Sequence, residues 1–176
     1  MKKAIALDST FINSYYNLSE NYKSLNNLDL SIYFRKKGLS FDSLNVLETN
    51  SLGYLYLLKG DTASAKKVYT KAKHILPTTA FSYQGMIEFY TYTHDFKNAK
   101  IELHNYIKQY KNDNFAFYLL ATIAIQEHDN KSCIDFLKKA FDLGFNDIAL
   151  ILKDSKFKEI INTNEFIKLK KSYFPN

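Results

Sequence analysis

Four histidines, one cysteine and eighteen carboxylates are the side chains of this chain that could hold a metal, attack a substrate or move a proton. Their spacing supports none of these chemistries. A zinc site needs three or four converging ligands, usually announced by close pairs such as Cys-x-x-Cys or His-Glu-x-x-His. Cys133 has no second thiol, and His74 and His104 have no metal partner at helical spacing. No glycine loop of the phosphate-cradling kind occurs, and no Gly-x-Ser-x-Gly nucleophile turn. The carboxylates are scattered and form no acid–base pair. The expectation is a chain with no catalytic residue, no metal and no cofactor.

Composition points to a helical fold. Hydrophobic residues make up 46%, enough for a packed core, while there are only five glycines and two prolines. Fourteen tyrosines and fourteen phenylalanines must serve core, contact surface or both. One cysteine closes no intrachain disulfide. The opening Met1-Lys2-Lys3-Ala4-Ile5-Ala6-Leu7-Asp8 has too short an apolar run for a signal peptide, and nothing approaches the ~20 apolar residues of a membrane span. A cytoplasmic location is expected, though a longer parent chain could carry a leader or anchor.

The elements that would position these side chains emerge from a repeat of 34 residues. Starts at Ile12, Val46, Ala80 and Asn114 align four copies without a gap. Position seven holds Leu18, Leu52, Met86 and Leu120. With positions four and eleven, as in Tyr15 and Tyr22 or Tyr83 and Tyr90, it makes one apolar face of a first helix. Small residues recur at position eight (Ser19, Gly53, Ala121), at twenty (Ser31, Ala65, Ala99, Cys133) and at 27 (Gly38, Ala72, Ala140), where two antiparallel helices must approach closely; Ile87 and Tyr106 break the rule together in the third repeat, where a wider, repacked joint is expected. Cys133 is thereby expected to be a core filler. Positions fifteen and sixteen are Asn26-Asn27, Gly60-Asp61, His94-Asp95 and His128-Asp129. Gly takes positive φ freely, Asn and His better than most, and a following Asn or Asp can cap the next helix. His94 and His128 are thus expected in turns.

These residues resemble the tetratricopeptide repeat, a helix–turn–helix unit. The second copy is the best match, through Leu52-Gly53, Tyr56, Gly60-Asp61, Ala65, Tyr69, Ala72 and Pro77. The first departs where Arg35 replaces an aromatic and Ser43 replaces proline, and the fourth has Ala124 where tyrosine is usual. The resemblance implies an all-α fold: a right-handed solenoid of antiparallel helix pairs, with four repeat units over 12–45, 46–79, 80–113 and 114–145. Carried backwards, the register makes residues 1–11 the second helix of an incomplete preceding repeat, and the chain a piece of a longer protein. After Gly144 the period is lost, and 146–176 is expected to form a helical cap with short helices over 147–153, 155–161 and 164–174. Its Phe157, Ile160, Ile161, Phe166 and Leu169 would cover the last open face.

In the family, first helices line a concave groove that receives a peptide or helix. Carried over by position, the lining would be Asn13, Leu47, Phe81 and Phe115; Tyr16, Asn50, Gln84 and Tyr118; Glu20, Tyr54, Glu88 and Thr122; with Leu57 and Tyr92 added. Some relatives clamp a terminal carboxylate with Lys, Arg and Asn. Here only Asn17 fits and no cation does, so an acidic tail is not the expected ligand. A neutral or basic peptide or helix is. The net charge of +6 gathers in Lys2-Lys3, Lys36-Lys37, Lys71 and Lys138-Lys139 on second helices. This is expected to be a solvated outer face rather than a nucleic-acid surface, because no aromatics stand among these lysines. The implied function is an adaptor or scaffold. The alternative is a structural segment of a larger protein that self-associates or packs on its own parent chain.

Overall fold

A computed structural model describes residues 9–175, with side chains from Phe11 onward. Among the described residues every element is helical, and the chain forms two compact units, Met1–Asp95 and Phe96–Asn176. The division falls in the turn of the third repeat.

The first unit holds α1 (Ser9–Ser24), α2 (Leu28–Phe41), α3 (Val46–Leu58), α4 (Thr62–Ile75) and α5 (Ala80–Tyr92). Helix α1 starts earlier than the repeat register places it, so Ser9, Thr10 and Phe11 belong to α1 and not to a preceding second helix. Phe11 extends it by packing edge-on to Tyr15 at 5.0 Å and against Phe41 at 6.1 Å. What was expected of residues 1–8 lies outside the described residues. The second unit holds α6 (Phe96–Gln109), α7 (Asn114–Gln126), α8 (Asn130–Asp142), α9 (Ile148–Lys153), a 3₁₀ turn (Ser155–Glu159) and α10 (Asn164–Tyr173).

The turns follow from single residues. Asn26, Gly60, His94 and His128 take φ of 57°, 80°, 56° and 60°, so both histidines are turn residues. Asn27, Asp61 and Asp129 then cap α2, α4 and α8, accepting from the backbone N–H of Leu30, Ser64 and Ser132 at 3.0–3.1 Å.

Packing in the first unit runs from each hairpin to the next. Leu52 joins Ile32 and Leu55 against Leu39 of the hairpin before it, and Met86 joins Leu57, Ala65 and Tyr69. Leu18 holds the same repeat position but stays 38% exposed, because no described helix lies before α1 to cover it. Inside the hairpins, Ser31, Ala65, Ala99 and Cys133 are fully buried. Burial pushes the Cys133 thiol up to about 12, so it stays protonated and inert at neutral pH.

The second unit has one core in which α7 and α8 receive the cap. Ile151, Phe157, Ile160 and Phe166 are buried there beside Leu137 and Phe141. The segment expected as a helix over 155–161 is instead a 3₁₀ turn. Phe157 and Ile160, both fully buried, stand three apart, and three residues per turn put them on one face. Thr163 caps α10 by accepting from the Phe166 N–H at 3.3 Å.

The second-helix lysines Lys36, Lys37, Lys71, Lys138 and Lys139 are exposed. Rings do lie near two of them, contrary to the sequence reading: Lys36 sits 5.5 Å from Tyr56 and Lys37 6.0 Å from Phe41. Each ammonium then occupies the ring face that a stacked base would need.

Gly53 sits in a close fit, where an added Cβ would come 2.7 Å from the ring of fully buried Tyr69. Gly53→Ala should therefore cost about 1–3 kcal/mol in urea unfolding. Gly60→Asn, at a left-handed turn with open space around it, should cost far less.

Candidate functional site

Helices α3 and α5 lie side by side in the first unit and expose one face together. On α5 the face is Phe81, Gln84, Glu88 and Tyr92, three to four residues apart and so in one stripe. On α3 it is Leu47, Asn50 and Tyr54. Leu47, Tyr54, Phe81 and Tyr92 retain between 38% and 52% of their surface. Two hydrogen bonds fasten the helices: Asn50 Nδ2 donates to the Phe81 carbonyl at 2.6 Å, and Tyr92 Oη donates to the Leu57 carbonyl at 2.8 Å. The helices can approach because Gly85 has no Cβ. One there would stand 2.5 Å from Asn50 Oδ1 and 2.7 Å from the Tyr69 ring. Asn50 Oδ1, pressed into this contact, accepts no hydrogen bond.

Tyr69 of α4 forms the floor. Its ring lies against the backbone of both Gly53 and Gly85, and its hydroxyl donates to Glu88 Oε2 at 2.5 Å. Burial, and then the Glu88 charge, push the Tyr69 phenol above its ordinary pKa. Glu88 is on the exposed stripe, yet its neighbours take enough water from the carboxylate to raise its pKa, against the lowering effect of the Tyr69 bond. Among the described residues no cation pairs with it.

Arg35 of α2 stands in the repeat position of Tyr69 but does the opposite. It is 2% exposed; Nε donates to Ser19 Oγ at 3.1 Å, and its other nitrogens bind Glu20 and Glu48. The guanidinium lies 5.5 Å from the Tyr16 ring centre. Glu20 also pairs with Lys23. Partial burial would raise its pKa, but the bonds from Lys23 and Arg35 hold it below the ordinary value.

The structure therefore sorts the groove residues carried over from the family. Asn13, Leu47, Tyr54, Phe81, Gln84, Glu88, Tyr92 and Phe115 are exposed and Asn50 is half-buried. Glu20 is exposed but committed to two cations. Four others are corrected, because they are buried and face packing rather than a partner. Leu57 is fully enclosed with Tyr69 and Met86. Tyr16 is buried where Gly38 leaves room for its ring. Tyr118 stacks on Phe145 at 5.0 Å, with its phenol pushed up to about 12 by burial and then by Asp154. Thr122 turns its hydroxyl to the Leu119 carbonyl at 2.7 Å. Sequence reading missed Tyr69 as the floor and Glu48 as a partner of Arg35. The polar tips of Arg35 and Tyr69 at one otherwise apolar repeat position, shared with Leu103 and Leu137, were the available signal.

Residues 50–75, from this face through α4, match the family model described as tetratricopeptide repeat. Solved structures of the same fold cover nearly all of the chain. PilF of Pseudomonas aeruginosa superposes with a TM-score of 0.71 at 15% identity, over 93% of this chain and 73% of that one. MamA of Desulfovibrio magneticus gives 0.65 at 17%, over 91% and 93%. Residues 50–75 thus carry a tetratricopeptide repeat, and the fold over nearly all of the chain is that of solved tetratricopeptide-repeat structures. YrrB, described as such a protein with an unusual peptide-binding site, gives 0.53 at 17%, over 99% and 92%. No curated protein matches the chain in sequence.

Burial of its carboxylate makes Glu88 work against the fold. The folded state holds its carboxyl proton more tightly than the unfolded chain does. Stability is therefore lost as pH rises from the ordinary value of 4.5 through the raised one. Glu88→Gln cannot ionise. Its stability relative to the wild type should improve as pH rises above the ordinary value of 4.5 and level off once the raised pKa is passed, measured by urea unfolding at each pH. An unchanged gap would show that Glu88 is not held in this way.

Proposed function

We propose that this protein is a scaffold that holds a segment of a partner protein on the α3–α5 face of its first unit. The observation that carries this is the row of half-exposed Leu47, Tyr54, Phe81 and Tyr92 on two adjacent, hydrogen-bonded helices. Large rings that remain wet on a rigid surface gain the most from being covered, and aromatic anchors dominate protein interfaces. Gln84 and Asn50 add amides suited to a peptide backbone. The peptide-binding description of YrrB supports the same reading for this fold. The bound segment is neutral or basic. Arg35, the cation nearest in register, is buried and already answered by Glu20 and Glu48, so nothing is left to clamp a terminal carboxylate.

A second reading, self-association, is carried by the first hairpin. Its rings form a ladder through Phe11, Tyr15, Phe41, Phe34 and Tyr22, beside the uncovered Leu18.

Two measurements separate the readings. Tyr54→Ala with Phe81→Ala should abolish co-purification of the partner while leaving the melting temperature within about 3 °C of wild type, since both side chains are surface groups. Retained binding would sink the first reading. Leu18→Glu should convert a self-associated species to monomer in sedimentation experiments, and a wild type that is monomeric at all concentrations would sink the second.

A further inference from the structure

The glutamates of the first unit are Glu20, Glu48 and Glu88, and the first two are answered by cations within the chain. Glu20 meets Lys23 and Arg35, Glu48 meets Arg35, and Asp29 meets Lys59. Among the described residues Glu88 meets only the hydroxyl of Tyr69, although its carboxylate is partly stripped of water. A desolvated carboxylate without a cation lowers stability, and the Tyr69 bond offsets this only in part.

We infer that Glu88 is the seat of a lysine or arginine side chain carried by the bound segment, with the aliphatic stem of that side chain lying along the rings of Tyr54 and Tyr92. The inference rests on the scaffold reading above and names what the scaffold recognises. Tyr69 is fully buried between Gly53 and Gly85, so its hydroxyl is a fixed donor that holds Glu88 in one orientation. It occupies Oε2 and leaves Oε1 to accept from a ligand. Tyr92 follows Glu88 by one helical turn on the same stripe, and Tyr54 is exposed on α3, the helix packed beside it. Rings beside a carboxylate suit a long basic side chain, whose stem is apolar and whose head gains from both the ion pair and the ring faces. A divalent metal fits poorly, because one carboxylate offers too few oxygens. An acidic or phosphorylated segment is repelled.

The test is selection of random, roughly twelve-residue peptides, blocked at both ends, on the full chain. Wild type should select peptides with lysine or arginine at a constant distance from an apolar anchor. Replacing that basic residue by alanine should weaken binding roughly five- to tenfold on wild type and leave it unchanged on Glu88→Gln. Glu88→Lys should select aspartate or glutamate at the same place, and the Glu88→Gln comparison stands alone should the lysine variant misfold. Binders that lose affinity on Tyr54→Ala plus Phe81→Ala, but show no basic preference or keep it on Glu88→Gln, overturn the inference and leave the scaffold reading intact. Failure to select any peptide sensitive to that double substitution overturns both.

Discussion

The ring of Tyr69 fills the space where α3, α4 and α5 meet, and two glycines make that space. Gly53 and Gly85 each bring a helix backbone against the ring, at separations where a methyl group would collide. Helix hairpins of this kind have little interior of their own, so stability comes from how closely one hairpin seats on the next. Leu57, Ala65, Met86 and Phe89 pack around this joint. The same joint sets what the outer face can be. With α3 and α5 drawn together, their exposed side chains form one surface rather than two ridges, and the Tyr69 hydroxyl reaches through to meet Glu88.

A comparison of the two polar residues at this repeat position shows how one architecture supports opposite electrostatics. In the first hairpin Arg35 is buried with its charge balanced by two carboxylates, and the nearby Ser19 hydroxyl completes its hydrogen bonding. This is a closed network, and removing either side would strand a charge. One repeat later Tyr69 supplies the floor without charge, and the carboxylate above it is left open. Glu88 is thereby partly desolvated, and burial raises its pKa against the lowering effect of the Tyr69 bond. In the second unit the corresponding Leu103 and Leu137 are plain core residues, and the packing around Leu137 is spent on covering the end of the array with Phe157, Ile160 and Phe166.

Much of this fold was legible in the residue order because its signals are local. A 34-residue period repeats the same short-range choices: a positive-φ residue, a capping Asn or Asp, and small side chains where helices cross. Asn26, Gly60, His94 and His128 take the backbone conformation that their types favour, and Asn27, Asp61 and Asp129 cap as their side chains allow. The close of the array was also readable, since buried Phe157 and Phe166 needed a core to enter once the period stopped. The nature of the 155–159 turn was not, because a five-residue stretch carries no periodicity to distinguish a 3₁₀ turn from an α-helix.

What the sequence by itself determined was therefore the helix-pair fold, the position of each turn and the identity of the buried small residues. All of these depend on neighbours within one turn or one hairpin. Only the tertiary structure decided which aromatics are wet. Tyr16 and Tyr118 share a repeat position with Gln84, yet Tyr118 is buried because Phe145 stacks on it, and Gln84 is exposed. Leu57 and Leu58 are adjacent and helical, yet one is enclosed and the other open. Nor does residue order show that Arg35 answers Glu20 and Glu48 while Glu88 meets no cation among the described residues. Exposure and charge balance on a shared face depend on side chains arriving from a different hairpin, and no local pattern encodes that arrival.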